Sequence, residues 1–338
     1  MMPGKDPSRP RTLRRRAMLA LSAAGFAAPG LLRAQEAPYP NRPIRVVVPY
    51  GTGGATDVTM RVLAPKLSEI LGQSVVVENR VGSGGTVGTN HVARSAPDGY
   101  TLVCAALSAV GLAVHLYPNL PYDPVRELTA IAPTVYVPLA LAATTRGWNV
   151  RNAQELIAEL KANSGKYHYA SNGVGTTSHL AGANFVAHTG TNVVHVPYRS
   201  AGAAFTALLA GEVQFTHEVL SALKPHQEGG GARVLFVASD QRSPVMPEVP
   251  TLAEAGLPPY KAYSWFGLFG PANMPPAIVS KIADAVERAL ADPETGARLV
   301  SLDAVLMRGY TPERFSQYLR EEIAAWEPLV RASGARVE

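Results

Sequence analysis

The chain has 338 residues, 47% hydrophobic and 17% charged, a balance that excludes a disordered chain and at this length predicts two domains. Its formal charge of +5 is local: of 31 Lys and Arg and 26 Asp and Glu, residues 1–34 hold seven bases (Lys5, Arg9, Arg11, Arg14, Arg15, Arg16, Arg33) and one acid, Asp6. The remaining 24 bases and 25 acids give no electrostatic reason to expect binding to nucleic acid or an anionic membrane.

The basic stretch reads as a signal peptide at 1–34 and predicts a periplasmic protein. Arg14-Arg15-Arg16 precedes a short, Ala-rich apolar run at 17–28. Cleavage after Ala34 leaves a mature chain from Gln35. Arg15-Arg16-Ala17-Met18-Leu19 resembles a twin-arginine signal, and an ordinary Sec signal fits equally. The one cysteine, Cys104, sits in an apolar run and reads as buried packing.

Ile44-Arg45-Val46-Val47-Val48 is a short β-branched strand ended by Pro49. The turn Gly51-Thr52-Gly53-Gly54-Ala55-Thr56 follows. A helix then starts near Asp57, with Met60, Leu63, Leu67, Ile70 and Leu71 on one face and Gly72 at its end. Val75-Val76-Val77-Glu78 is a strand. Gly82-Ser83-Gly84-Gly85 leads into a helix to about Ser95, and a third strand occupies 100–105. The order then repeats. An apolar run at 135–143 precedes a helix at 152–162, with Asn152 as N-cap and Glu155 three residues on. The strand Tyr167-His168-Tyr169-Ala170 feeds a second Gly-rich turn at 171–177 and a helix from Ser178. Strands follow at 193–196, 213–216 and 233–237, with a helix at 203–210. A last extended run at 264–269 precedes helices at 275–291, 293–301 and 312–332.

This alternation predicts an α/β fold with mostly parallel sheets. The domains read as 36–137 completed by 265–338, and 138–264. The chain crosses between them at 135–143 and 264–269, leaving a ligand cleft between the domains.

Each domain carries a strand, a Gly-rich turn and a helix start. A helix N-terminus exposes unpaired N–H groups and partial positive charge, and glycine allows close approach. Two such turns on one cleft would bind an anion without Lys or Arg. The candidates are Tyr50, Gly51, Thr52, Gly53, Gly54, Ala55, Thr56 and Asp57 in the first turn. In the second they are Ser171, Asn172, Gly175, Thr176, Thr177 and His179. The plainer reading is that the turns only connect elements, that Asp57 caps its helix, and that His179 caps or packs. A competing reading is an exported nicotinamide-dependent oxidoreductase: the first turn nearly matches G-x-G-x-x-G, and Glu78 ends the next strand. Thr56 at the third glycine position and the charge of Asp57 weigh against it. G-x-S-x-G, H-E-x-x-H and C-x-x-C are missing, and the eight histidines lack metal spacing. We therefore expect no catalytic residue, no metal and no cofactor.

Ordered motifs along the mature chain carry a resemblance. They are Tyr39-Pro40-Asn41-Arg42-Pro43-Ile44, the segment 48–57, Val77-Glu78-Asn79-Arg80, Ala96-Pro97-Asp98-Gly99-Tyr100-Thr101-Leu102 and Leu120-Pro121-Tyr122-Asp123-Pro124. Gly173-Val174-Gly175-Thr176-Thr177-Ser178-His179-Leu180, His195-Val196-Pro197-Tyr198, the segment 247–256 and Trp265-Phe266-Gly267-Leu268 complete the set. The chain resembles the extracytoplasmic receptors of tripartite tricarboxylate transporters, the Bug family. The resemblance implies a two-domain periplasmic-binding-protein (Venus flytrap) fold in a monomer. It also implies a small carboxylate ligand, held by backbone amides and waters at the turns matching 50–57 and 171–179. The implied partner is the set of integral membrane subunits of such a transporter. Two departures bear on the pocket. Ala105-Ala106-Leu107-Ser108-Ala109 is more apolar than the family's Gly/Ser/Thr-rich stretch. His217-Glu218 replaces an aromatic–Asp pair, which makes Glu218 a further ligand-binding candidate.

Overall fold

The computed structural model describes residues 38–337; the signal peptide expected at 1–34 lies outside the described residues. The chain opens with β1 (Ile44–Val48), α1 (Ala55–Leu71), β2 (Val75–Asn79), α2 (Thr86–Ala93), β3 (Thr101–Ala106) and α3 (Ala113–Leu116). The middle is β4 (Leu128–Pro138), β5 (Ala140–Thr144), α4 (Ala153–Ala162), β6 (His168–Ser171), α5 (Thr177–Thr189), β7 (Val194–Pro197), α6 (Ala201–Ala210), β8 (Phe215–Glu218), α7 (Leu220–Glu228) and β9 (Ala232–Val237). It ends with β10 (Tyr263–Pro271), α8 (Pro276–Ala291), α9 (Pro293–Val300), β11 (Val305–Leu306) and α10 (Pro312–Ser333). Among the described residues no helix is long and apolar enough to cross a membrane.

The strands form two sheets, ordered β11-β4-β10-β3-β1-β2 and β7-β6-β8-β5-β9. Both are mixed, which corrects the expectation of mostly parallel sheets. β1 pairs parallel with β2 and β3, but β10 runs antiparallel to β3 and β4. In the second sheet β6 pairs parallel with β7 and β8, whereas β5 is antiparallel to β8 and β9. The cause is the route of the chain. Parallel neighbours need a crossover connection. β4 runs into β5 through Leu139 alone, and β10 brings the chain back beside β4 in the opposite direction. The apolar run expected at 135–143 is therefore two strands in different sheets. At their junction Leu139 N–H donates to Ala262 O at 2.9 Å, and Leu139 O accepts from Ala238 N–H at 2.8 Å.

The helical faces read from the sequence are the buried ones. Met60, Leu63, Leu67 and Leu71 of α1 pack in one core with Ile282, Val286 and Leu290 of α8. Gly72 ends α1 at φ 71°, its N–H donating to Ser68 O, a left-handed cap that favours glycine. Cys104 is buried in the same core, and burial pushes its thiol up to about 12. On the other face of the first sheet, Phe315, Leu319 and Trp326 of α10 pack with Trp265 and Phe269 of β10. The second sheet buries Leu156, Leu160, Phe185, Phe215 and Phe236. Asn152 caps α4, its side chain accepting from Glu155 N–H at 2.8 Å, while Glu155 returns a bond to Arg151 N–H.

Candidate ligand cleft

The first turn is built around a buried carboxylate. Gly53 adopts φ 82°, a conformation that costs other residues about 1 kcal/mol or more. Its N–H donates to Asp57 Oδ2 at 2.9 Å. Asp57 is 1% exposed and also accepts from Arg61 Nε at 3.0 and 2.9 Å and from Asn79 Nδ2 at 2.8 Å. Burial pushes the Asp57 pKa up, but these bonds outweigh it and hold the carboxyl below its usual range. Asp57 thus stiffens the turn from within. Gly54, the N-cap of α1, offers no side-chain cap, so no cap takes the first-turn N–H groups of Ala55, Thr56 and Asp57. Tyr50 stands beside them. Its hydroxyl shares a hydrogen bond with Ser108 Oγ at 2.9 Å and accepts from Ala106 N–H at 3.3 Å. Burial pushes its pKa up to about 12.

The second turn is satisfied differently. Gly175 N–H donates to His179 Nδ1 at 3.1 Å, and His179 N–H donates to Thr176 Oγ1 at 3.3 Å. Asn172 N–H donates to Ser178 Oγ at 3.1 Å. Ser171 is fully buried, its Oγ pairing with His195 Nε2 at 2.6 Å. The imidazoles of His179 and His195 stack at 3.7 Å. Burial lowers the His179 pKa to about 4; burial and the charge of His179 lower that of His195 to about 3. Both rings are neutral near pH 7, as acceptance by His179 Nδ1 requires.

Both turns open on one cavity of about 660 Å³. From the first turn it is lined by Tyr50, Gly53, Gly54, Ala55 and Thr56, and from the second by Asn172, Gly175, Thr176 and Thr177. Glu218 joins them from the end of β8. Five expected residues do not reach this cavity, which corrects the sequence reading. Asp57 turns inward, for the reason given. Gly51 and Thr52 are exposed outside it, Thr52 Oγ1 donating to Asn79 Oδ1. Ser171 lies beneath the turn. His179 instead lines a separate cavity with His195 and the C-terminal residues 329 and 332–336. A larger cavity of about 860 Å³, walled by Asp240, Arg242, Lys261 and Asp303 among others, meets neither turn.

Sequence reasoning missed other parts of the wall. Ala106 and Ser108 come from the stretch singled out as a departure. Ser221 and Ala222 open α7 immediately after β8. That third strand-to-helix junction has no glycine to mark it; the abrupt change from β8 to α7 around Val219 was the available signal. Leu116, Phe266 and Val337 are brought in by tertiary packing alone.

A family model described as Tripartite tricarboxylate transporter family receptor matches residues 59–335. The chain belongs to that family. Protein BugT of Bordetella pertussis is 35% identical over 319 residues, covering 94% of this chain and 96% of BugT. Among solved structures, the periplasmic binding protein BugD matches with a TM-score of 0.76 and 32% identity, over 89% of this chain and 100% of that chain. MatC from Rhodopseudomonas palustris with bound malate matches at 0.75 and 33%, over 86% and 100%. An R. palustris protein with adipate matches at 0.79 and 31%, over 88% and 100%. The protein is a solute-binding receptor of the Bug type with the two-lobed fold of periplasmic binding proteins. The nicotinamide-dependent alternative finds no support in these matches.

Proposed function

We propose that this receptor captures a small carboxylate in the periplasm and delivers it, chemically unchanged, to the membrane subunits of a tripartite tricarboxylate-type transporter. The uncapped N-terminus of α1 carries this reading: it opens on a cavity whose wall, among the described residues, includes no Lys or Arg, so the anion is met by backbone N–H groups and helix dipole. The second turn brings Thr176 and Thr177, at the start of α5, to the same cavity, while the N–H of Gly175 is engaged by His179. Malate and adipate in related structures support the ligand class. The lobes are 36–137 with 265–338, and 138–264; each contains one sheet, and they close on the solute as a monomer. The leader at 1–34 exports the chain, so the periplasmic form begins near Gln35.

The test is a thermal-shift screen of purified mature protein against carboxylates, each paired with its neutral amide. A ligand that binds only the folded state raises the midpoint. At least one carboxylate should do so while its amide does not. Equal responses to acids and amides, or none to either, would refute the anion site.

A further inference from the structure

Leu302 and Ala304 line the ligand cleft, while Asp303 between them lines the larger cavity on its other side. Asp303 stands just before β11, which pairs with β4 of the first sheet. Its partners come from the other lobe. Asp303 Oδ1 accepts from the hydroxyl of Ser243, in the loop after β9. The Ser243 oxygen accepts in turn from Val245 N–H at 3.1 Å. Asp303 and Ser243 are both buried. Burial raises the Asp303 pKa to about 6, opposed by the Ser243 hydroxyl and by the N–H of Leu220 at the start of α7. Val219, the N-cap of α7, gives that helix no side-chain cap. Asp303 therefore brings negative charge to a helix start in the opposite lobe.

Two features give this tie a purpose in the cleft. Ser243 and Leu220 lie outside the segments 135–143 and 264–269, so the tie is separate from the crossing strands. It also bears on the cleft wall from both sides. Leu302 and Ala304 flank Asp303 in one lobe, and Ser221 and Ala222 follow Leu220 in the other; all four line the cleft. Asp303 holds φ 67°, a left-handed conformation that Asp and Asn accept more readily than most residues. The backbone thus turns the carboxylate away from the cleft and across to Ser243.

We propose that Asp303 is a positioning residue for solute capture: by holding Ser243 and the start of α7, it latches the lobes at the angle that brings both turns onto one cavity, before any solute arrives. The proposal rests on the two-lobed reading given above and on no particular ligand.

Small-angle scattering of the ligand-free protein tests it. Asp303→Gly removes the carboxylate and suits the left-handed backbone. Ser243→Ala removes the other half of the bond. Each variant is confirmed folded by a cooperative urea transition. Both should enlarge the radius of gyration, and the double variant should enlarge it no further than the larger single one, because the two residues act through one contact. Asp303→Asn keeps an oxygen for the Ser243 hydroxyl and tolerates the same backbone. It should stay nearer to wild type than Asp303→Gly. Titration with malate and adipate reads the consequence: Asp303→Gly should weaken both by the same factor, about fivefold, as the aligned fraction shrinks. Ligand-free radii equal to wild type in Asp303→Gly and Ser243→Ala overturn the latch, and so does a double variant whose enlargement is the sum of the singles. If wild type binds neither acid, that counts against carboxylate capture, and the ligand-free radii still decide the latch.

Discussion

Leu116, the last residue of α3, rests against the backbone of Gly175: a Cβ placed on Gly175 would lie 2.7 Å from Leu116 Cδ1. Gly175 also holds φ 75°. The two residues bring the second turn against a helix of the first sheet, and both line the cleft. Gly175→Ala therefore meets a left-handed conformation costing about 1–2 kcal/mol and a side chain that must give way. We expect affinity for every carboxylate to fall about tenfold. Adding Leu116→Ala should restore part of that loss, because the contact is with a flexible side chain while the strain remains. Titration of the two single variants and the double variant measures this coupling. Unchanged affinity in a folded Gly175→Ala protein would show that the turn tolerates displacement.

Asp57 governs the other turn without touching the cavity. All of its partners are donors: Gly53 N–H, Arg61 and Asn79. Asp57→Asn turns an –NH₂ group toward at least one of them. That should cost about 1–3 kcal/mol of stability and weaken ligand binding by loosening the amides of α1. Urea unfolding and titration of this variant give both numbers. A loss of stability with unaltered affinity would separate the turn's rigidity from binding.

Glu322 gathers four donors at 5% exposure: Lys261 Nζ at 2.9 Å, Tyr263 OH at 2.8 Å, Trp265 Nε1 at 3.1 Å and Trp326 Nε1 at 3.2 Å. Glu322→Ala leaves two indole N–H groups and a partly buried ammonium without their acceptor. We expect a loss of about 3 kcal/mol, the low end for a broken buried pair because Lys261 retains access to water. Denaturant midpoints measure it; a loss below about 1 kcal/mol would mean that water replaces the carboxylate.

The histidines set the response to acid. His179, His195 and His217 are lowered by burial to about 4, 3 and 3. Unfolded, each takes its proton near 6.5; folded, each resists it. Their contribution is complete above that value and is lost as pH falls toward the folded values, by up to about 1.4 kcal/mol per pH unit per histidine. Asp303, raised to about 6 by burial, and Glu218, also raised, act in the opposite sense: their contribution is present below the ordinary carboxylate range and is lost as pH rises through the folded pKa. Asp57 is depressed, so its stabilisation persists through the mildly acidic range and is lost only in stronger acid. His217→Phe is the cleanest variant. His217 is fully buried, bonds Tyr260 OH at 2.8 Å through Nε2, and leaves Nδ1 unpartnered. It should reduce the slope of stability against pH between 6.5 and 5. An unchanged slope in a pH series of urea titrations would count against a neutral, buried imidazole.

The strand-to-helix turns were legible because their signals are local. β-branched runs, glycines and the spacing of Met60, Leu63 and Leu67 each constrain the chain within a few residues. Asn152 and Glu155 are legible for the same reason. Strand direction was not, because it depends on the partner a strand finds; nothing within the run at 264–269 says that it returns beside β4. Hydrogen-bond allocation was equally hidden. The spacing of Gly175 and His179 leaves open whether that amide serves a ligand or the neighbouring ring, and packing against His195 decides for the ring. The helix-start position of Asp57 suited both a capping carboxylate and a ligand contact; in the structure it accepts from Gly53 N–H, Arg61 and Asn79, and α1 has no side-chain cap.

The bond from Leu139 N–H to Ala262 O joins the outgoing and returning chain segments where they pass from one sheet to the other. Two extended segments fastened at such a rung can twist and bend together, but sliding past one another would break it. In the lobe closure proposed above, such a rung favours rotation over shear. The receptor's state would then reduce to an angle, and a solute that favours one value of it would leave a signal legible on the outer surface, far from the groups that hold it.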